Sequence, residues 1–152
     1  MLNQDYHTSM TVNMPPSEAF DKISRVPEWW GTDFQGQSRH VGDVFTIRFQ
    51  SGDVYTIKIV DVVPDKKVVW QVIDSNRPSL KDPHEWTGTQ IVWEIAAHSN
   101  ATQIDLTHVG LVPDIECYEE CSQGWNFLLQ KSLLTLLTEN QGNPAGPAAV
   151  EQ

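Results

Sequence analysis

TQIVWEIAAHSNATQIDLTHVGL at residues 89–111 and GWNFLLQKSLLTLL at residues 124–137 decide the fold. In the first stretch apolar residues alternate, so Ile91, Trp93 and Ile95 share a face with Ile104, Leu106 and His108 across a hairpin that turns at Ser99 and Asn100. In the second the period changes to 3.6. Cys117, Tyr118, Cys121, Trp125, Leu128, Leu129, Ser132, Leu133 and Leu136 form one stripe of a helix that Asp114 would cap and that Asn140, Gly142 and Pro144 would end. About 26 residues at 1.5 Å each span roughly 39 Å, against a radius of gyration of about 15 Å for a domain of this size. Such a helix has to lie across the whole sheet.

Upstream of the hairpin the same two periods recur. YHTSMTVN reads as a first strand stopped by Pro15 and Pro16, and PSEAFDKIS as a short helix starting at Pro16, with Phe20, Ile23 and Val26 inward and Pro27 as its end. PEWWGTDFQG predicts a turn of helix and then a loop. DVFTIRF places Phe45, Ile47 and Phe49 on one face; after a turn at Gly52, VYTIKIV places Tyr55, Ile57 and Ile59 there, and KVVWQVI adds Val68, Trp70 and Val72. Residues 74–85, DSNRPSLKDPHE, are polar and hold two prolines, which predicts a mobile loop of the kind that covers a site. The expected architecture is α+β: a curved antiparallel sheet wrapped around a long C-terminal helix, with two short helices after the first strand. Residues 1–142 form a single domain and 143–152 a disordered tail.

The chain has 152 residues, 10 basic and 20 acidic, for a net charge of −10. That charge opposes the counterion release that drives nucleic-acid binding and is repelled by anionic membranes, so neither is expected as a partner. No secretory signal is read at the start, and a cytoplasmic location follows as the expectation. The two cysteines stand one turn apart on the helix, where β-carbons are about 5–6 Å apart; free buried thiols are expected rather than a disulfide. No second pair of ligands completes a zinc site, and no nucleophile elbow, phosphate loop or HExxH motif occurs, so neither metal nor cofactor is expected.

Six tryptophans are the unusual feature. Trp70 and Trp93 point by alternation to the concave face, Trp125 faces them from the helix, and Trp29 and Trp30 sit where the second short helix closes the end. With Phe45, Tyr55, Leu106 and His108 they make up the candidate ligand-binding set. Aromatic rings at these positions either line an apolar pocket or fill the core. His108 is the polar member, able to hydrogen-bond a ligand or move a proton, or else a core histidine satisfied by its neighbours. Glu94, Asp105, Arg48 and Lys58 alternate outward, and Asp33, Asp43 and Glu85 fall near the rim.

PPSEAFDKIS before the tryptophan pair, GDVFTIRF, GTQIVWEI and TQIDLTHVGL leading to GWNFLLQKSLLTLL, in this order, resemble the START-like, birch-pollen-allergen-like superfamily (SRPBCC) of helix-grip proteins. The branch most similar is the C-terminal domain of the activator of the ninety-kilodalton heat-shock protein ATPase, over residues 8 to 140 or so. The resemblance implies a sheet gripping the last helix with an apolar cavity between them. It fixes no single activity, because the superfamily includes lipid carriers, cyclases and co-chaperone domains. Three functions are therefore open. The first is binding of a small apolar or aromatic molecule between sheet and helix, with no catalytic residue assigned. A protein-interaction module with a protein partner would show an exposed apolar patch. A polyketide cyclase or aromatase would need an oriented proton-transfer pair around His108 or Tyr55.

Overall fold

In the computed structural model, which describes residues 5–49 and 51–144, seven antiparallel strands form one sheet in the order β1-β7-β6-β5-β4-β3-β2. β1 (Tyr6–Val12) pairs along β7 (Ala101–Val109), from Tyr6 opposite His108 to Val12 opposite Thr102. The chain then has to reach the other edge, and α1 (Pro16–Ile23) and α2 (Val26–Trp29) carry it there. α1 starts at Pro16, where the missing N–H costs nothing and φ is preset. Its inward face differs from the expectation: Lys22 is buried while Phe20 is half-buried. The Lys22 ammonium donates to the carbonyls of Leu136 and Leu137, each at 3.3 Å, and pairs with Glu18. A cation at the C-terminal end of the last helix is favourable there, which explains the burial.

β2 (Phe34–Gly36) stands where a loop was expected. Gly36 takes φ +113°, and a β-carbon on it would lie 2.1 Å from the Val44 carbonyl oxygen, so only glycine closes this ladder against β3 (Val44–Arg48). β4 (Val54–Val63) and β5 (Lys67–Asn76) follow, with register shifts between Thr56 and Ile57 and between Ile59 and Asp61 that bend the sheet. β5 runs on to Asn76, beyond the expected strand end: Asp74, Ser75 and Asn76 pair with Thr56, Tyr55 and Val54, so ladder bonding overrides their polar composition. β6 (Gln90–His98) and β7 form the hairpin read from the sequence, with Ser99 at φ 59° in the turn. Ile91, Trp93, Ile95, Ile104, Leu106 and His108 are all buried on its inner face.

The last helix begins at Tyr118, not after Asp114. The Glu85 carboxylate, from outside the helix, accepts the N–H groups of Glu116 (2.7 Å) and Cys117 (3.1 Å) and caps the start in place of a local side chain. The helix comprises α3 (Tyr118–Leu128), a π-helical turn (Leu129–Leu133) and α4 (Leu134–Glu139). Cys121 and Trp125 are buried before the π turn, Leu129 and Leu133 within it, and Leu136 and Leu137 after it. Each buried leucine contributes about 1.5–3 kcal/mol through removal from water. Asn140, at φ 64°, closes the helix. Residues 141–144 then fold back on α2: Asn143 N–H donates to Ser132 Oγ, which itself donates to the Trp29 carbonyl at 2.5 Å. The expected disordered tail thus begins with two placed residues, Asn143 and Pro144; residues 145–152 lie outside the described residues.

Candidate functional site

Between the sheet and the helix lies an aromatic assembly. Trp29 stacks on Trp30 and Trp70, Trp30 on Trp70 and Tyr55, and Tyr55 on Trp86, with ring centroids 4.5–6.4 Å apart. Trp93 meets Trp29, Trp70 and Trp125 edge to face, and Phe45 meets Trp70 in the same way. All nine residues of the candidate set are buried, and the tryptophans among them join in one continuous network of ring contacts. Leu106 sits opposite Trp93 in the β6–β7 ladder. Much of the space between sheet and helix is therefore filled by rings that pack on one another. The Trp93 indole N–H, fully buried, has no hydrogen-bond partner among the described residues.

His108 has both ring nitrogens engaged. The Trp125 indole can only donate, and it points at Nδ1 from 3.1 Å, so Nδ1 is the acceptor and Nε2 carries the proton. Nε2–H donates to Thr89 Oγ1 at 2.8 Å, and Thr89 passes its own proton on to the Trp86 carbonyl at 2.6 Å. Burial lowers the imidazole to about 3, keeping it neutral at physiological pH. Tyr55 is pushed up to about 12, by burial first, with the Arg77 guanidinium pulling the other way. Both groups are therefore neutral near pH 7, and the Trp86 ring packs against each of them, stacked on Tyr55 and edge to face with His108.

Residues 77–89, which take in 77–85 of the expected 74–85 loop, form a strap across the start of α3. Arg77 pairs with Glu120 (2.5 Å), and its Nη1 also donates to the Tyr55 hydroxyl (3.3 Å) and to Cys121 Sγ (3.0 Å). The Glu116 carboxylate accepts Lys81 N–H, Glu85 caps the helix, and Trp86 Nε1 donates to Cys117 Sγ at 3.3 Å. Cys117 and Cys121, expected as free thiols, are joined by a disulfide. The expectation assumed regular helix between them. Cys117 is instead the N-cap residue, with φ −90° and ψ 7°, and the α-carbons stand 5.5 Å apart, inside the range a disulfide spans.

Trp86 and Arg77 are the site residues that the sequence reading missed. Trp86 is the single aromatic residue in the polar stretch of residues 74–89, and that isolation was the available signal. Beside Trp30 an open groove of about 400 Å³ is lined by Phe49, Gly124, Phe127, Leu128, Asn143 and Pro144. Phe127 is 53% exposed on its wall, and a β-carbon built on Gly124 meets nothing within 4 Å. Glu85, placed near the rim by sequence, proves to be the helix cap, and Asp43 accepts the N–H groups of Arg39 and His40. No helix among the described residues is long and apolar enough to cross a membrane.

Comparison with solved structures reveals the same fold. The solution structure of the Aha1 dimer from Colwellia psychrerythraea superposes with a TM-score of 0.74 at 22% identity, covering 93% of this chain and all of that one (100%). Mll3558 from Rhizobium loti gives 0.70 at 15% identity, over 90% of this chain and 97% of the other. DynU16, from the dynemicin biosynthetic locus, gives 0.65 at 16% identity over 90% of this chain and 48% of its own. A search of curated proteins finds no match. The family model for the activator of Hsp90 ATPase homolog 1-like proteins matches residues 17–138. These residues run from the first turn of α1 to the end of α4, and the chain belongs to that family, within the START-like helix-grip superfamily.

Proposed function

We propose that this protein binds a small apolar or aromatic molecule at the Trp30 end of the space between sheet and helix. The observation that carries the reading is the open groove over Trp30, walled by Phe49, Phe127 and Leu128. Its apolar walls and its size of about 400 Å³ suit a compact hydrophobic ligand. Trp30 connects this groove to Trp125, at a centroid distance of 5.3 Å, and through Trp125 to Trp93. The unpaired Trp93 indole N–H is a donor that a ligand acceptor reaching inward would satisfy.

The test uses a neutral probe, N-phenyl-1-naphthylamine, because a chain of net charge −10 repels anionic dyes. Gly124→Leu places a side chain in the groove at a position where a β-carbon meets no neighbour, and it replaces a poor helix former with a good one. The wild-type protein is expected to enhance probe fluorescence saturably, at one site, and Gly124→Leu to lose that response with its melting temperature maintained. Equal probe affinity in the folded variant would place the ligand elsewhere. An exposed-surface partner, as in the interaction-module reading, would then be sought by cross-linking at Phe127.

A further inference from the structure

We propose that Cys117 and Cys121 are a reversible thiol–disulfide site that responds to low-molecular-weight disulfides, and that its redox state sets how firmly the 77–89 strap grips α3. The proposal starts from what the bond does not do. It links residues four apart in one turn of chain, so it ties no distant segments together and has little value as a staple. What surrounds it is specific. Each sulfur is addressed by an N–H donor from the strap: Arg77 Nη1 reaches Cys121 Sγ at 3.0 Å, and Trp86 Nε1 reaches Cys117 Sγ at 3.3 Å. These donors come from near the two ends of the strap and clasp it to the helix through the two sulfurs.

A disulfide sulfur accepts hydrogen bonds weakly, whereas a thiolate accepts them strongly, the more so from a guanidinium. Reduction therefore tightens the Arg77 clasp, and oxidation loosens it. In the oxidised state the strap keeps the Glu85 cap, the Lys81 N–H bond to Glu116 and the Arg77–Glu120 pair. Cys121 is the better nucleophile of the two. Its sulfur faces the Arg77 guanidinium, whose charge is shared with Glu120 and, at 3.9 Å, Asp53, while Tyr55 beside it stays a neutral phenol. Cys117 faces an uncharged indole, with the Glu85 carboxylate on its backbone N–H. A neighbouring cation favours the thiolate, and the guanidinium lies on Cys121.

The exchange balances in two steps. The Cys121 thiolate attacks one sulfur of a disulfide RSSR; that S–S bond breaks, RS⁻ leaves, and a Cys121–S–SR mixed disulfide remains. Cys117, deprotonated, then attacks Cys121 Sγ, the mixed disulfide breaks, and a second RS⁻ leaves. Two protein thiols are oxidised to one disulfide and RSSR is reduced to two thiols. Both sulfurs are buried, so the reagent reaches them when the strap lifts.

The full-length protein is equilibrated in buffers of stepped reduced-to-oxidised glutathione ratio, quenched with N-ethylmaleimide and weighed intact. The expected result is a transition from two adducts to none within the range of the glutathione couple. Amide exchange is then compared in the two end states, with at least a fivefold faster rate expected for residues 77–89 when oxidised. A third measurement follows the first step: Cys117→Ser should accumulate the glutathione mixed disulfide at least fivefold faster than Cys121→Ser. The proposal fails if the wild-type protein stays in one state at every ratio, or if strap exchange is equal in both states or faster when reduced. If the third ratio is reversed, the assignment of Cys121 as the attacking thiol fails. Each measurement is made without a ligand, so a failure here leaves the groove reading untouched, and the reverse.

Discussion

Acid should destabilise this protein in part through His108, and the size of that residue's share follows from its burial. In the folded chain burial holds the imidazole at about 3, against 6.5 for an exposed histidine, so the unfolded state binds a proton that the folded state refuses. Stability is then fully present above pH 6.5 and falls as pH drops through the window between 6.5 and about 3. At about 1.36 kcal/mol per pH unit the loss over the whole window sums to about 5 kcal/mol, and between pH 7 and pH 5 it comes to about 2 kcal/mol. For a chain of this size that corresponds to a fall of about 4–8 °C in melting temperature. Other groups titrate over the same range, so the assay is a difference. Urea unfolding at pH 7 and pH 5 is compared between the wild-type protein and His108→Gln, whose amide offers one acceptor and one donor to Trp125 and Thr89 but takes up no proton. The variant should be less stable at pH 7 and should lose about 2 kcal/mol less than the wild-type protein on going to pH 5. Parallel pH dependences in the two proteins would refute the buried, neutral imidazole.

Glu85→Ala removes the acceptor for two N–H groups at the start of α3 and should cost about 1–2 kcal/mol by thermal unfolding; no loss would mean that water caps the helix equally well. Gly142→Ala sets a β-carbon 2.1 Å from the Glu28 carbonyl oxygen and should destabilise by about 1–3 kcal/mol, with a wild-type melting temperature showing that residues 141–144 move away at no cost. Leu106→Trp, at a fully buried position opposite Trp93, should cost about 1–3 kcal/mol through overpacking; a neutral result measured by calorimetry would reveal empty space between the rings.

The fold was legible wherever one face of an element is wholly apolar. The β6–β7 hairpin and the leucines of the last helix follow from periods of two and 3.6, because burial selects whole faces. The differences all come from contacts between distant residues. Asp74–Asn76 read as loop but are strand, because β4 supplies the hydrogen bonds. Lys22 lies off the Phe20, Ile23 and Val26 stripe, yet it is buried on two carbonyls at the end of a helix more than a hundred residues away. The helix start was misplaced for the same reason, since its cap, Glu85, belongs to another segment. At the candidate site the six residues chosen by strand alternation, Trp125 from the helix stripe, and Trp29 and Trp30 from the second short helix are all buried in one core, which pattern and element order could indicate. Whether rings line a cavity or stack on one another depends on rotamers, and no periodicity encodes these. The cysteine pairing goes with a departure from helical backbone at Cys117, at φ −90° and ψ 7°, which the residue pattern does not encode.

The π turn at Leu129–Leu133 has a consequence for how this helix tolerates change. A wider turn absorbs one residue more than an α-helix would, so the parts on either side are out of phase by about 100° relative to one continuous spiral. The sequence before the turn aims Trp125 at His108, and the sequence after it buries Leu136 and Leu137, whose carbonyls accept from Lys22 of α1, each part on its own bearing. The turn acts as an angular coupling between two halves with separate alignments. Removing exposed Lys131 would regularise the spiral and swing α4 by that same angle, taking its leucines away from the core while the Trp125 half kept its aim.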